Sequence, residues 1–145
     1  MKLGTKAETL KDIKPYLTKS HVPFFIVFNQ LQVTNELNVV LNKIFLNFPN
    51  RAIIIRSSSI YEDNENDSKA GCYLSIPLKE SYSRENLAES IRLVSDSMGI
   101  SSGNQIIVQQ YVPEIRISGV VMTRDLASGA PYYCINYVES KIDSS

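Results

Sequence analysis

The chain has 145 residues, about one domain's length, and is 43% hydrophobic and 21% charged, the make-up of a packed globular unit. Fifteen basic side chains balance fifteen acidic ones, so no overall field draws nucleic acid or an anionic membrane, and any bound anion must be held locally. "MKLGTKAETL" lacks the apolar stretch of a signal peptide, and no run approaches a bilayer span, so a cytoplasmic protein with no membrane and no nucleic-acid partner is expected.

From the N-terminus, Thr5 and Glu8 have capping-box spacing, and Leu10, Ile13 and Leu17 keep helical periodicity, which predicts a helix over 5–18 weakened by Pro15. "VPFFIVFN", 22–29, reads as a buried strand. Thr34 is expected to cap a helix to about Phe48, with Leu37, Val40, Leu41, Ile44, Phe45 and Phe48 on one stripe. "AIIIRS" follows as a second buried strand, then a polar loop over 57–70, and "GCYLSIPL" as a possible edge strand limited by Pro77. Ser83 caps a helix bearing Leu87, Ile91, Val94 and Met98, with Gly99 past its end. "QIIVQQYV", "RISGVVMTRD" and "YYCINYV" close the chain as strands, with turns at "GISSGN" and "LASGAP". The order predicts an α/β layer merging into a more antiparallel one, an α+β arrangement rather than a doubly wound sheet. No closing element follows the last strand, so the sequence is expected to stop inside a larger protein.

Chemistry concentrates in few places. Arg56, read at the end of its strand, offers a forked donor set that matches phosphate, with Ser57, Ser58 and Ser59 beside it. The alternative is an ion pair with Glu62 or Asp63 that pins the loop. Lys6 at a helix start is disfavoured by the dipole unless an anion is bound there; otherwise it is a solvated surface lysine. The acids of "EDNENDSKAG" form a solvated loop or a divalent-cation site without a fixed ligand spacing. Ala70-Gly71 allows backbone N–H groups to come close to a ligand. The single histidine, His21, has no acid–base partner in view. Cys72 and Cys134 have no metal-type spacing and read as free thiols, and Asn66-Asp67-Ser68 reads as a chance sequon.

These pieces, in this order, resemble the N-terminal ATP-binding domain of the phosphoenolpyruvate synthase and pyruvate phosphate dikinase family, which has an ATP-grasp fold. "LGTKAETL" resembles the family's glycine-glycine-lysine opening, and "VPFFIVFN" its valine-proline strand. "IIIRSSSIYEDNENDSKAG" resembles its arginine-serine-serine, glutamate-aspartate and serine-phenylalanine-alanine-glycine run. "IVQQYV" and "SGVVMTRDLASG" resemble its two later segments. The resemblance implies that Lys6 and Arg56 contact ATP phosphates and that the segment of Ser68, Ala70 and Gly71 covers them. Gln109 and the backbone of Tyr111 and Val112 would face the adenine at the hinge, with Thr123 and Arg124 near the phosphate end. It also implies Mg²⁺ and a phosphohistidine domain as partners, with pyruvate or another hydroxyl-bearing acceptor at the end.

The chain departs from the pattern at Thr5, Lys69, Cys72 and Tyr111, where glycine, phenylalanine, glutamine and methionine are usual. The family's metal-holding glutamate and glutamine have no counterpart here, so no metal ligand is assigned and the segment alone is expected to be inactive. Two other classes remain open: a non-catalytic nucleotide-binding module, and a structural α/β domain with an internal ion-pair lattice.

Overall fold

The computed structural model describes residues 4–59, 63–64, 67–68, 74–125 and 127–140, with 63–64 and 67–68 described as backbone. Thr5 caps α1 (Lys6–Ile13) through a complete capping box: its hydroxyl accepts from the Glu8 amide, and the Glu8 carboxylate accepts from the Thr5 amide. The α-helix stops before Pro15, and a single 3₁₀ turn, Lys14–Tyr16, replaces the predicted second half.

Strand β1 (Phe25–Asn29) begins three residues later than the apolar run suggests. Its last residue, Asn29, accepts from the Leu31 amide and so starts α2 (Gln30–Asn35) directly. Thr34 is therefore no cap; it lies inside α2, and its hydroxyl donates back to the Gln30 carbonyl. The chain breaks at Glu36 (φ −130°, ψ 36°) and resumes as α3 (Leu37–Asn47). The predicted stripe is real: Val40, Leu41, Ile44 and Phe48 are buried, and Leu37 and Phe45 pack against them.

Next come β2 (Ile53–Ser58), the two-residue strands β3 (Asp63–Asn64) and β4 (Asp67–Ser68) inside the predicted loop, and β5 (Ser75–Leu78). Helix α4 (Arg84–Ser97) has a second capping box, Ser83 with Asn86, and ends at Gly99, whose φ of +68° is left-handed. Strand β6 is Gln105–Gln110, and β7 (Ile117–Met122) and β8 (Cys134–Glu139) form a hairpin.

The main sheet has the order β1-β6-β2-β5, and every pairing in it is antiparallel. The layer expected to be α/β is thus antiparallel throughout, a mixed α+β arrangement. The α2–α3 connection carries the chain over β6, which pairs between β1 and β2. Pro77 sits on β5, the edge strand, where a missing N–H leaves no gap in the interior ladder.

One face of this sheet carries Phe28, Ile53, Ile55, Ile106 and Val108 into a core shared with α3 and α4. Leu87, Ile91, Val94 and Met98 of α4 all enter that core. By the alternation of strands, Ile54, Arg56, Ser58, Gln105, Ile107 and Gln109 point to the other face. Helix α1 docks on that second face, where its Ala7 amide donates to the Ser58 hydroxyl at 3.0 Å. The Thr5 hydroxyl also donates to the Gln105 side-chain oxygen there at 2.9 Å.

The chain divides into two compact units, residues 1–111 and 112–145. Among the described residues no helix is long and apolar enough to cross a membrane. Cys134 is a half-buried free thiol; Cys72 and Asn66 lie outside the described residues.

Candidate functional site

Arg56 is the fourth of six residues in β2, not its last. Ile53 and Ile55 take the core side, so the pleat turns Arg56 to the α1 side, half-buried. A ligand crevice beyond a strand's carboxyl end belongs to parallel sheets. In an antiparallel one the guanidinium instead lies on a sheet face. There its Nη1 donates to the Gln109 Oε1 at 3.3 Å. Gln109 pairs with Ile54 across the ladder, two residues from Arg56, so the two side chains are diagonal neighbours on one face.

Among the described residues Arg56 meets no carboxylate. Glu62 lies outside them and Asp63 is described only as backbone in β3, paired with Ser68.

Lys6 reaches the same stretch of β2 from α1: its Nζ lies 3.5 Å from the Ser57 carbonyl, next to Arg56 in sequence. The two cations, fifty residues apart in the chain, are thus brought to one strand. The helix start beside Lys6 has its Ala7 and Glu8 amides already satisfied within the protein, by Ser58 and Thr5, while the Glu8 carboxylate occupies the cap. An anion here would be met by side chains rather than by the helix terminus.

The Tyr111 amide donates to the Ala52 carbonyl at 2.9 Å, and Tyr111 is the last residue of the first unit, Val112 the first of the second. Thr123 and Arg124 belong to the second unit; the Arg124 guanidinium donates to the Gly129 carbonyl at 3.4 Å within its own turn. Ser68 lies in β4. Lys69, Ala70 and Gly71 lie outside the described residues.

Sequence reasoning missed Ser58, Thr5 and Gln105 as the groups that dock α1. The sequence held little signal for it: Arg56 to Ser59 are consecutive polar residues, and Gln105, Gln109 and Gln110 flank the apolar run 106–108, so no alternation marks the face. A concavity of about 450 Å³ lined by Phe24, Phe48, Pro49, Arg51 and Gln110 involves the core-side residue Phe48, and neither Lys6 nor Arg56 borders it.

No protein-family model, curated protein or solved structure matches this chain.

Proposed function

We propose that this chain is the ATP-binding part of a dikinase-type phosphotransferase, one that cleaves ATP to phosphorylate a carrier histidine and then pyruvate or another hydroxyl-bearing acceptor. In finer terms the reading is an ATP-grasp domain acting in the cytoplasm, as the resemblance implies. One observation carries it: Arg56 is held on a half-buried sheet face by a neutral amide, in the same stretch of strand that Lys6 reaches. A structural arginine in such a place normally pairs with a carboxylate, because an uncompensated charge is costly to desolvate. Among the described residues Arg56 meets the neutral Gln109 amide and no carboxylate, and phosphate matches its forked donors.

In this reading Lys6 and Arg56 offset the charge of the β- and γ-phosphates and hold the chain of phosphates in line. When bound, Mg²⁺ would supply further neutralisation of the phosphate charge in such chemistry. Among the described residues no group of three or more His, Cys, Asp or Glu could hold a metal ion. The second reading, a nucleotide-binding module without turnover, uses the same Arg56 contact and predicts ATP binding with no AMP produced.

The test is calorimetric titration with ATP and with a non-hydrolysable analogue. The wild type is expected to bind, and Arg56→Ala to bind roughly ten- to a hundredfold more weakly, the loss of one or two charge-assisted hydrogen bonds. Equal affinity in the variant would overturn the role of Arg56, and no binding by the wild type would overturn the nucleotide reading.

A further inference from the structure

Gln109 was assigned to the adenine by resemblance; its geometry gives it other work. We infer that Gln109 is a positioning residue for Arg56, fixing the direction of the guanidinium without neutralising it, so that it governs affinity for the phosphates and not the choice of base. This rests on the nucleotide reading above and deepens it.

Arg56 has only donors to offer, so the amide oxygen of Gln109 must face it whatever orientation the amide is given. The bond at 3.3 Å joins residues whose backbones are locked by the β2–β6 ladder, with Ile54 opposite Gln109 and Ile107 opposite Arg56. Gln109 is 7% exposed on the central strand β6, so its side chain has little freedom to swing towards another partner. A glutamate at this position would have the same shape and reach. It would also form a buried ion pair with Arg56 and spend the positive charge inside the protein. The amide holds the fork in place and leaves the charge to the ligand.

Sodium tripolyphosphate separates the two roles because it has phosphates and no base. Wild type, Gln109→Glu and Gln109→Leu are titrated calorimetrically with tripolyphosphate, ATP and GTP, and each variant's melting temperature is checked. The expected result is a loss of about tenfold or more for tripolyphosphate and ATP alike in Gln109→Glu. Its ATP-to-GTP ratio stays unchanged and its melting temperature equals or exceeds that of the wild type. Gln109→Leu, which leaves the guanidinium unheld but charged, should fall between. A merely structural residue would lower the melting temperature of Gln109→Glu and leave its tripolyphosphate affinity intact. That outcome overturns the inference. Unchanged tripolyphosphate affinity with an altered ATP-to-GTP ratio also overturns it, returning Gln109 to the base. If the wild type binds neither tripolyphosphate nor ATP, the nucleotide reading itself fails, and this inference with it.

Discussion

Arg56 and Asp125 are both charged side chains held by uncharged neighbours, and the contrast shows what a single residue can and cannot reveal in sequence. Asp125 follows β7, and the Ser128 hydroxyl and amide both donate to its Oδ2, at 2.5 and 2.8 Å. The hydroxyl bond first, then the amide, holds this exposed carboxyl below the usual aspartate range. A depressed folded pKa means that the ionised form is favoured on folding. Its contribution is complete above the unfolded pKa and is lost as pH falls through the folded one. In a carbon-13 NMR titration, the Asp125 carboxyl is expected to protonate below the reference value of about 3.9, and Ser128→Ala should raise that midpoint. A midpoint unmoved by the substitution would mean that these bonds do not persist in solution. The partner of Asp125 is three residues away, within reach of turn chemistry read locally. The partner of Arg56 is fifty-three residues away and depends on the register of β2 against β6. The sequence therefore identified Arg56 as a candidate and left its partner open between a ligand and the acids of the following loop.

Elements whose signals are local were legible, and those set by pairing were not. Helix α4 carries its own cap, stripe and stop, and Ser83, Leu87, Ile91, Val94, Met98 and Gly99 all take the predicted places. The sequence reading misses helix α2 and makes Thr34 the cap of the helix that follows, because Asn29 ends a strand and caps a helix at once. No periodicity crosses the break at Glu36. Antiparallel pairing of β1 and β2 with β6 was beyond reach, since buried strands read as continuous apolar runs whichever way their neighbours point. The docking of α1 is a further tertiary fact, and the Ser58 hydroxyl takes part in it. Ala7 is fully buried, and its amide has the Ser58 hydroxyl as acceptor. Ser58→Ala strands that amide in a dry place, at a cost of about 1–3 kcal/mol. Urea denaturation should show this as a lower midpoint with an unchanged slope. Amide exchange should rise across 6–13 before the main sheet loses protection. A midpoint equal to the wild type's would show that α1 is held by its other contacts alone.

At the scale of the molecule, the two units differ in how they are held together. Residues 1–111 enclose a core in which Ile44, Ile53, Ile55, Leu87, Ile91 and Ile106 are fully buried. The β7–β8 hairpin in the second unit has no comparable interior. Ile117, Val120, Val121, Ile135, Tyr137 and Val138 are between 55% and 68% exposed, and the strand register places apolar residues on both of its faces. The ladder itself is tightly specified. At Gly119, a Cβ would collide with the backbone of Asn136 and Tyr137 on the facing strand, so close strand approach depends on that glycine. Tight pairing is still no substitute for burial, because an isolated two-stranded hairpin is marginal in water and its hydrogen bonds open locally. Hydrogen exchange followed by mass spectrometry should therefore separate the units. Amides of 117–122 and 134–139 are expected to exchange tens of times faster or more, an opening difference of roughly 2 kcal/mol, than those of 53–58 and 105–110. Equal protection in both sets would mean that the apolar faces of the hairpin are covered in solution. The stability of the second unit would then come from packing and not from its ladder.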